Sequence, residues 1–76
     1  MTIFENFLTA VTVAQARPVG TIIGYVQGWG WSLYHATAPV DGVTPELLAV
    51  GPGKLPFPLS EFGAEVLASA VRAKCI

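Results

Sequence analysis

The reading of this chain turns on Val19-Gly20-Thr21-Ile22-Ile23-Gly24-Tyr25-Val26-Gln27-Gly28-Trp29-Gly30-Trp31-Ser32-Leu33-Tyr34-His35-Ala36-Thr37-Ala38-Pro39-Val40. From Pro18 to Val40 no residue is charged. Two structures compete for it. As a helix, residues 18–40 would run about 34 Å at 1.5 Å per residue, enough to cross a hydrocarbon core of ~30 Å. Gly20, Gly24, Gly28 and Ser32 recur at every fourth position. On a helix they would form one ridge of small residues, the pattern that lets helices in lipid approach to backbone contact. Trp29, Trp31 and Tyr34 would then gather as an aromatic belt at one membrane boundary. Gln27 near mid-bilayer and His35 within the span speak against this arrangement, because neighbouring helices would have to satisfy both.

As strands, the stretches 21–26 and 29–34 are rich in β-branched and aromatic residues. A two-residue turn at Gln27-Gly28 would set Val26 opposite Trp29, Gly24 opposite Trp31 and Ile22 opposite Leu33, with all six on one apolar face. Gln-Gly is not a favoured hairpin dipeptide. Periodicity and hydropathy together favour the helix, with the hairpin at 20–35 as the alternative.

Working outward, residues 2–16 read as an amphipathic helix. Ile3, Phe7 and Val11 recur at the i, i+4, i+8 spacing, Glu5 suits the first turn, and Pro18 blocks continuation beyond Arg17. Residues 44–50 read as a short helix, with Thr44 as N-cap, Pro45 as first helical residue, and Gly51-Pro52 as the stop. Residues 51–58, rich in proline and glycine, form an extended connector. Residues 60–74 form the clearest helix. Ser60 caps it, Glu61 and Glu65 lie early, Arg72 and Lys74 lie late, and Phe62, Val66, Leu67, Ala70 and Val71 make an apolar stripe. The expected fold is therefore a mainly α single small domain over residues 1–76. Its parts are an N-terminal amphipathic helix, a glycine-spaced apolar helix able to form a single transmembrane span, a short helix and a C-terminal amphipathic helix. The alternative is α+β with a hairpin at 20–35.

Composition limits the function classes. The 76 residues are 53% hydrophobic and 12% charged, with a net charge of −1, and the mean hydropathy is +0.58. A disordered tail needs low hydrophobicity and high charge, and a nucleic-acid binder needs a basic patch, so neither fits. Between Glu5 and Asp41 the only charge is Arg17. The first half thus looks built for burial and the second for water. A chain this short buries a modest core and gains from outside support. The apolar run at 7–13 lacks a basic lead-in, so it is read as part of the fold and not as a cleaved leader. With Cys75 as the single cysteine, no intrachain disulfide forms.

No His, Cys, Asp or Glu residues fall at metal-ligand spacing. Ser32 and His35 share a spacing that could place them together on a helix, yet no nearby acid orients the imidazole, and no catalytic residue is expected. His35 beside Trp29, Trp31 and Tyr34 is a candidate axial ligand for a haem or chlorophyll-type macrocycle. Gly20, Gly24, Gly28, Ser32, Trp29, Trp31 and Tyr34 are the candidate packing residues. The layout is similar in organisation to small accessory polypeptides of bioenergetic membrane complexes, a similarity that transfers no residue roles.

The expected function is a non-catalytic accessory or structural subunit stabilising a larger membrane-protein assembly through the glycine ridge. Other subunits or copies of the chain are its partners, with lipid contact and no nucleic acid. The alternative is a structural subunit of a homopolymeric assembly, a virion coat or filament protein, with the hairpin in the subunit contacts. Localisation is expected to be membrane-associated or integral, or, on the alternative, within a virion or filament.

Overall fold

The uncharged stretch is a β-hairpin. In the computed structural model, which describes residues 1–76, strand β1 (Thr21–Val26) pairs antiparallel with β2 (Gly30–His35), and Val26 stands opposite Gly30. This overturns the mainly α expectation and removes the helix at 18–40, its glycine ridge and its span. The chain is α+β, and no helix in it is long and apolar enough to cross a membrane. The fourfold glycine spacing arises differently here. Gly20 and Gly28 bracket β1 at its two ends, and Gly24 sits at its centre.

The hairpin loop is Gln27-Gly28-Trp29, one residue longer than the turn expected. The Trp29 N–H donates to the Val26 carbonyl at 2.9 Å, and Gly28 takes φ +81°, a region that side chains disfavour. One extra loop residue shifts the pairing by one and sends each side chain of one strand to the other face. Trp31 therefore pairs with Tyr25, not Gly24, and Ile23 pairs with Leu33. Thr21, Ile23, Tyr25, Trp31, Leu33 and His35 share one face. Ile22, Gly24, Val26, Ser32 and Tyr34 share the other.

Residues 44–50 form no helix, a second correction. Strand β3 (Thr44–Leu48) pairs antiparallel with β1, and β4 (Phe57–Pro58), at the end of the expected connector, pairs with β3. The sheet order is β2-β1-β3-β4. Pro45 looked like a helix start, but its missing N–H is asked for by nothing. Trp31 spends its backbone N–H and C=O on Phe4, so the even positions of β1 direct theirs to β2. Gly24–Pro45 is then a pair without ladder hydrogen bonds, and β4 reaches only Leu47 and Leu48. A bulge between the Ile23 and Gly24 pairings leaves Glu46 as an extra residue of β3.

Both faces carry an apolar row across all four strands. Leu33, Ile23, Leu47 and Pro58 line one, and Tyr34, Ile22, Leu48 and Phe57 line the other. Because β2 and β3 both run antiparallel to β1 while flanking it, residues 36–43 return across the second face, where Val43 packs on Gly24.

The helices cover the first face. Helix α1 (Phe7–Gln15) lies over β1 and β2, and α2 (Glu61–Arg72) lies over β3 and β4. Helix α1 starts later than the expected residues 2–16. Asn6 is its cap, accepting the Leu8 N–H at 2.8 Å, while Phe4 is held extended by paired hydrogen bonds to Trp31 of 2.7 and 2.8 Å. Helix α2 matches the expected residues 60–74 closely, with Ser60 as N-cap accepting the Gly63 N–H at 2.9 Å. Ala10, Val11 and Ala14 of α1 present small surfaces to Ile23, Trp31, Leu47 and Ala49, and these seven residues form the buried core.

Candidate functional site

Three side-chain groupings on the helix-covered face stand out, beginning with an aromatic layer. Cross-strand neighbours Tyr25 and Trp31 meet edge to face at 5.1 Å. Phe7 of α1 lies 4.9 Å from Trp31, and Phe62 of α2 stacks on Trp31 at 5.9 Å with the planes only 5° apart. Phe62 also meets Tyr25 at 5.3 Å. Trp31 thus joins both helices to the hairpin. Aromatic pairs of this kind contribute about 0.5–1.5 kcal/mol beyond their buried area.

The second grouping surrounds Glu46. Although it is a carboxylate, only 5% of the residue is exposed. The bulge in β3 directs it toward the start of α2, where the Ser60 hydroxyl donates to Oε2. The Glu46 carbonyl accepts the Leu59 N–H at 2.8 Å. Gly63 lies so close to that carbonyl that a Cβ there would overlap it. A hydrogen bond to a charged group contributes about 1.5–3 kcal/mol, which offsets much of the burial penalty, and the α2 N-terminus adds a favourable dipole. The second carboxylate oxygen has no donor in the protein and is not sealed from solvent. Glu46 lines a hollow of about 240 Å³ together with Tyr25, Gln27, Thr44 and Phe62.

The third is a groove of about 450 Å³ between the helices, open to solvent and mostly apolar. Phe7 and Leu8 form one wall, and Val66, Ala70 and Ala73 form the other. Glu65 and Cys75 also line it.

The residues singled out from the sequence do not converge. Trp31 is buried at the centre of the aromatic layer, whereas Trp29, at the hairpin tip, is 73% exposed. Ser32 and Tyr34 lie on the opposite face of the sheet from Trp31, and Ser32 is buried. Burial raises the Tyr34 hydroxyl above its ordinary pKa. Ser32 and His35 point to opposite faces of β2, so they share no site. Gly24 makes room for Val43, and Gly20 makes room for the His35 imidazole.

Both imidazole nitrogens are engaged within the chain. Nδ1 accepts from the Thr37 N–H at 3.2 Å and lies 2.7 Å from Thr37 Oγ1, while Nε2–H donates to the Val19 carbonyl at 3.1 Å. His35 closes the base of the hairpin, and neither nitrogen is turned out to a macrocycle. No group of three His, Cys, Asp or Glu side chains comes together to hold a metal.

Sequence reasoning missed Tyr25, Glu46 and Phe62 as a group. The one local signal was an acid alone in the apolar run 47–50 and its flank. Its partner Ser60 is fourteen residues away, a distance no periodicity links. No protein-family model, no characterised protein and no solved structure matches the chain.

Proposed function

We propose that the chain is a non-catalytic structural subunit that works by association with copies of itself, as in a virion coat or filament, with the hairpin in the contact. The observation that carries this reading is Trp29, 73% exposed at the hairpin tip of a chain that also offers an open apolar groove of about 450 Å³ between its helices. Trp29 is not among the groove's lining residues, so the two features belong to different surfaces. A knob on one copy entering a groove on the next makes a head-to-tail contact, which propagates into rings or filaments. A net charge of −1 sets up little repulsion between copies. Phe57, 61% exposed on the edge strand, is a separate exposed apolar side chain on the other face of the sheet. The accessory-subunit reading relied on a glycine ridge, and those glycines lie in a strand and its flanking turns, so it loses its means of attachment.

Sedimentation velocity of the purified chain over a wide concentration range tests the proposal. The wild type should grow beyond a monomer as concentration rises, and Trp29→Ser should shift the onset at least about tenfold upward, as expected for loss of an interfacial aromatic anchor. A wild type that stays monomeric throughout would sink self-assembly. It would leave a subunit that needs different partners.

A further inference from the structure

The hollow beside Glu46 has a chemistry that the assembly reading does not use. A carboxylate that is 5% exposed stands in it with one oxygen free of protein donors. Tyr25 and Phe62 meet there at 5.3 Å with their planes at 61°, which makes an aromatic corner. Gln27 and Thr44 complete the wall, and no lysine or arginine lines it. The volume of about 240 Å³ has room for a small organic cation.

We propose that this hollow binds an alkylammonium group. Three features point to that ligand class. A carboxylate that is 5% exposed and has no cationic partner is a local source of negative potential that solvent screens less than a surface charge. Aromatic faces attract cations through the ring quadrupole, and Tyr and Phe grouped around a small space form the cage seen in recognition of methylated ammonium groups. The remaining wall residues, Gln27 and Thr44, are neutral, and the positive end of the α2 dipole beside Phe62 is a partial charge set against the full charge of Glu46. An anion would meet Glu46 at once, and a neutral apolar ligand would leave the carboxylate oxygen without a partner. The ammonium could be a free amine or the side chain of a lysine on another polypeptide. Both present the same chemistry to the site.

The experiment is a titration of the ¹⁵N-labelled full-length chain with tetramethylammonium chloride, butylammonium chloride and Nα-acetyl-lysine methylamide, each against sodium chloride at equal ionic strength. The expected result is saturable shifts at Tyr25, Gln27, Thr44, Glu46 and Phe62 with either ammonium salt, at concentrations up to about 100 mM, the range of a millimolar or weaker site. Tighter binding of the lysine derivative than of butylammonium supports a polypeptide side chain as the ligand, and the reverse supports a free amine.

Glu46→Gln keeps an acceptor for the Ser60 hydroxyl and should weaken binding about tenfold, through loss of the charge. Phe62→Leu, which leaves Glu46 and its hydrogen bond in place, should weaken tetramethylammonium severalfold through loss of the ring face. Shifts equal to those caused by sodium chloride would overturn the site. So would a folded Glu46→Gln chain that binds as tightly as the wild type. If Glu46→Gln does not fold, Phe62→Leu decides, and unchanged affinity there overturns the proposal. The titrations are run below the concentration at which the chain assembles, so failure here leaves the assembly reading standing, and the converse also holds.

Discussion

Gly63 shows how a single missing methyl sets the position of an element. Inside α2, glycine is a poor helix former, and alanine would raise helix propensity by about 1 kcal/mol. The position nevertheless needs glycine, because a Cβ would overlap the Glu46 carbonyl oxygen. That oxygen cannot retreat easily. It belongs to the backbone of β3 and accepts the Leu59 N–H. Gly63→Ala should therefore destabilise the chain by about 1–3 kcal/mol, overpacking outweighing propensity. Urea unfolding monitored by tryptophan fluorescence will measure it, and a midpoint at or above the wild type would mean that α2 sits further from β3. The same kind of reasoning explains why Ser60 was legible in the sequence and Glu46 was not. Ser60 acts on Gly63, three residues along, within reach of local pattern reading. Glu46 acts on Ser60, fourteen residues away, through a bulge and a chain reversal that no local pattern links.

Helix α2 rests on a relay in which the Ser60 hydroxyl both accepts from the Gly63 N–H and donates to Glu46. Removing that hydroxyl undoes the helix cap and strips the buried carboxylate of its donor. Ser60→Ala should cost about 2–4 kcal/mol, more than an ordinary cap deletion. Ser60→Asp discriminates the two roles. Aspartate caps helices as well as serine does, yet it donates nothing to Glu46 and brings a second negative charge beside it. Its loss should equal or exceed that of Ser60→Ala in thermal melts, whereas a helix needing only its cap would tolerate it. At the level of elements, the two helices were legible because their caps and stripes are local. The hairpin was ambiguous because a long uncharged run supports either period, and its register depended on one turn residue, Trp29. The short helix read at 44–50 failed for a related reason. A Thr-Pro-Glu start is compatible with a helix, but pairing with β1 and β4 on both sides of β3 outweighs local propensity.

For the molecule as a whole, the decisive contacts pass through Trp31. Phe7 of α1 and Phe62 of α2 both pack on Trp31, and Val66 and Leu67 of α2 pack against the core that α1 helps to form. Trp31 touches Phe7, Tyr25 and Phe62 and is 6% exposed. Trp31→Ala should cost about 3–5 kcal/mol. The total stability of a chain this size is only about 4–11 kcal/mol at 0.05–0.15 per residue. The melting temperature followed by far-ultraviolet circular dichroism should then fall by at least about 12 °C. A variant that keeps the wild-type melting temperature would mean that the two halves are joined by something else. The division of charge along the sequence was visible at this scale, but its meaning was not. The apolar first half is largely covered within the same chain: α1 and the hairpin face each other across the core, and Leu47 and Ala49 extend it beside β1.

That closure has an order in time. Everything needed for α1 and the hairpin lies before residue 36, whereas the strand that flanks β1 on its other side begins only at Thr44, after the crossing loop. As the chain is synthesised, β1 therefore becomes the middle strand late. Until β3 arrives, its outer edge stands as a template for any strand nearby, including one from a neighbouring nascent chain. The interval between the two events is set by the thirteen residues 36–48, roughly one to three seconds at ordinary rates of synthesis. Within that window, the choice between pairing with itself and pairing with another copy is made.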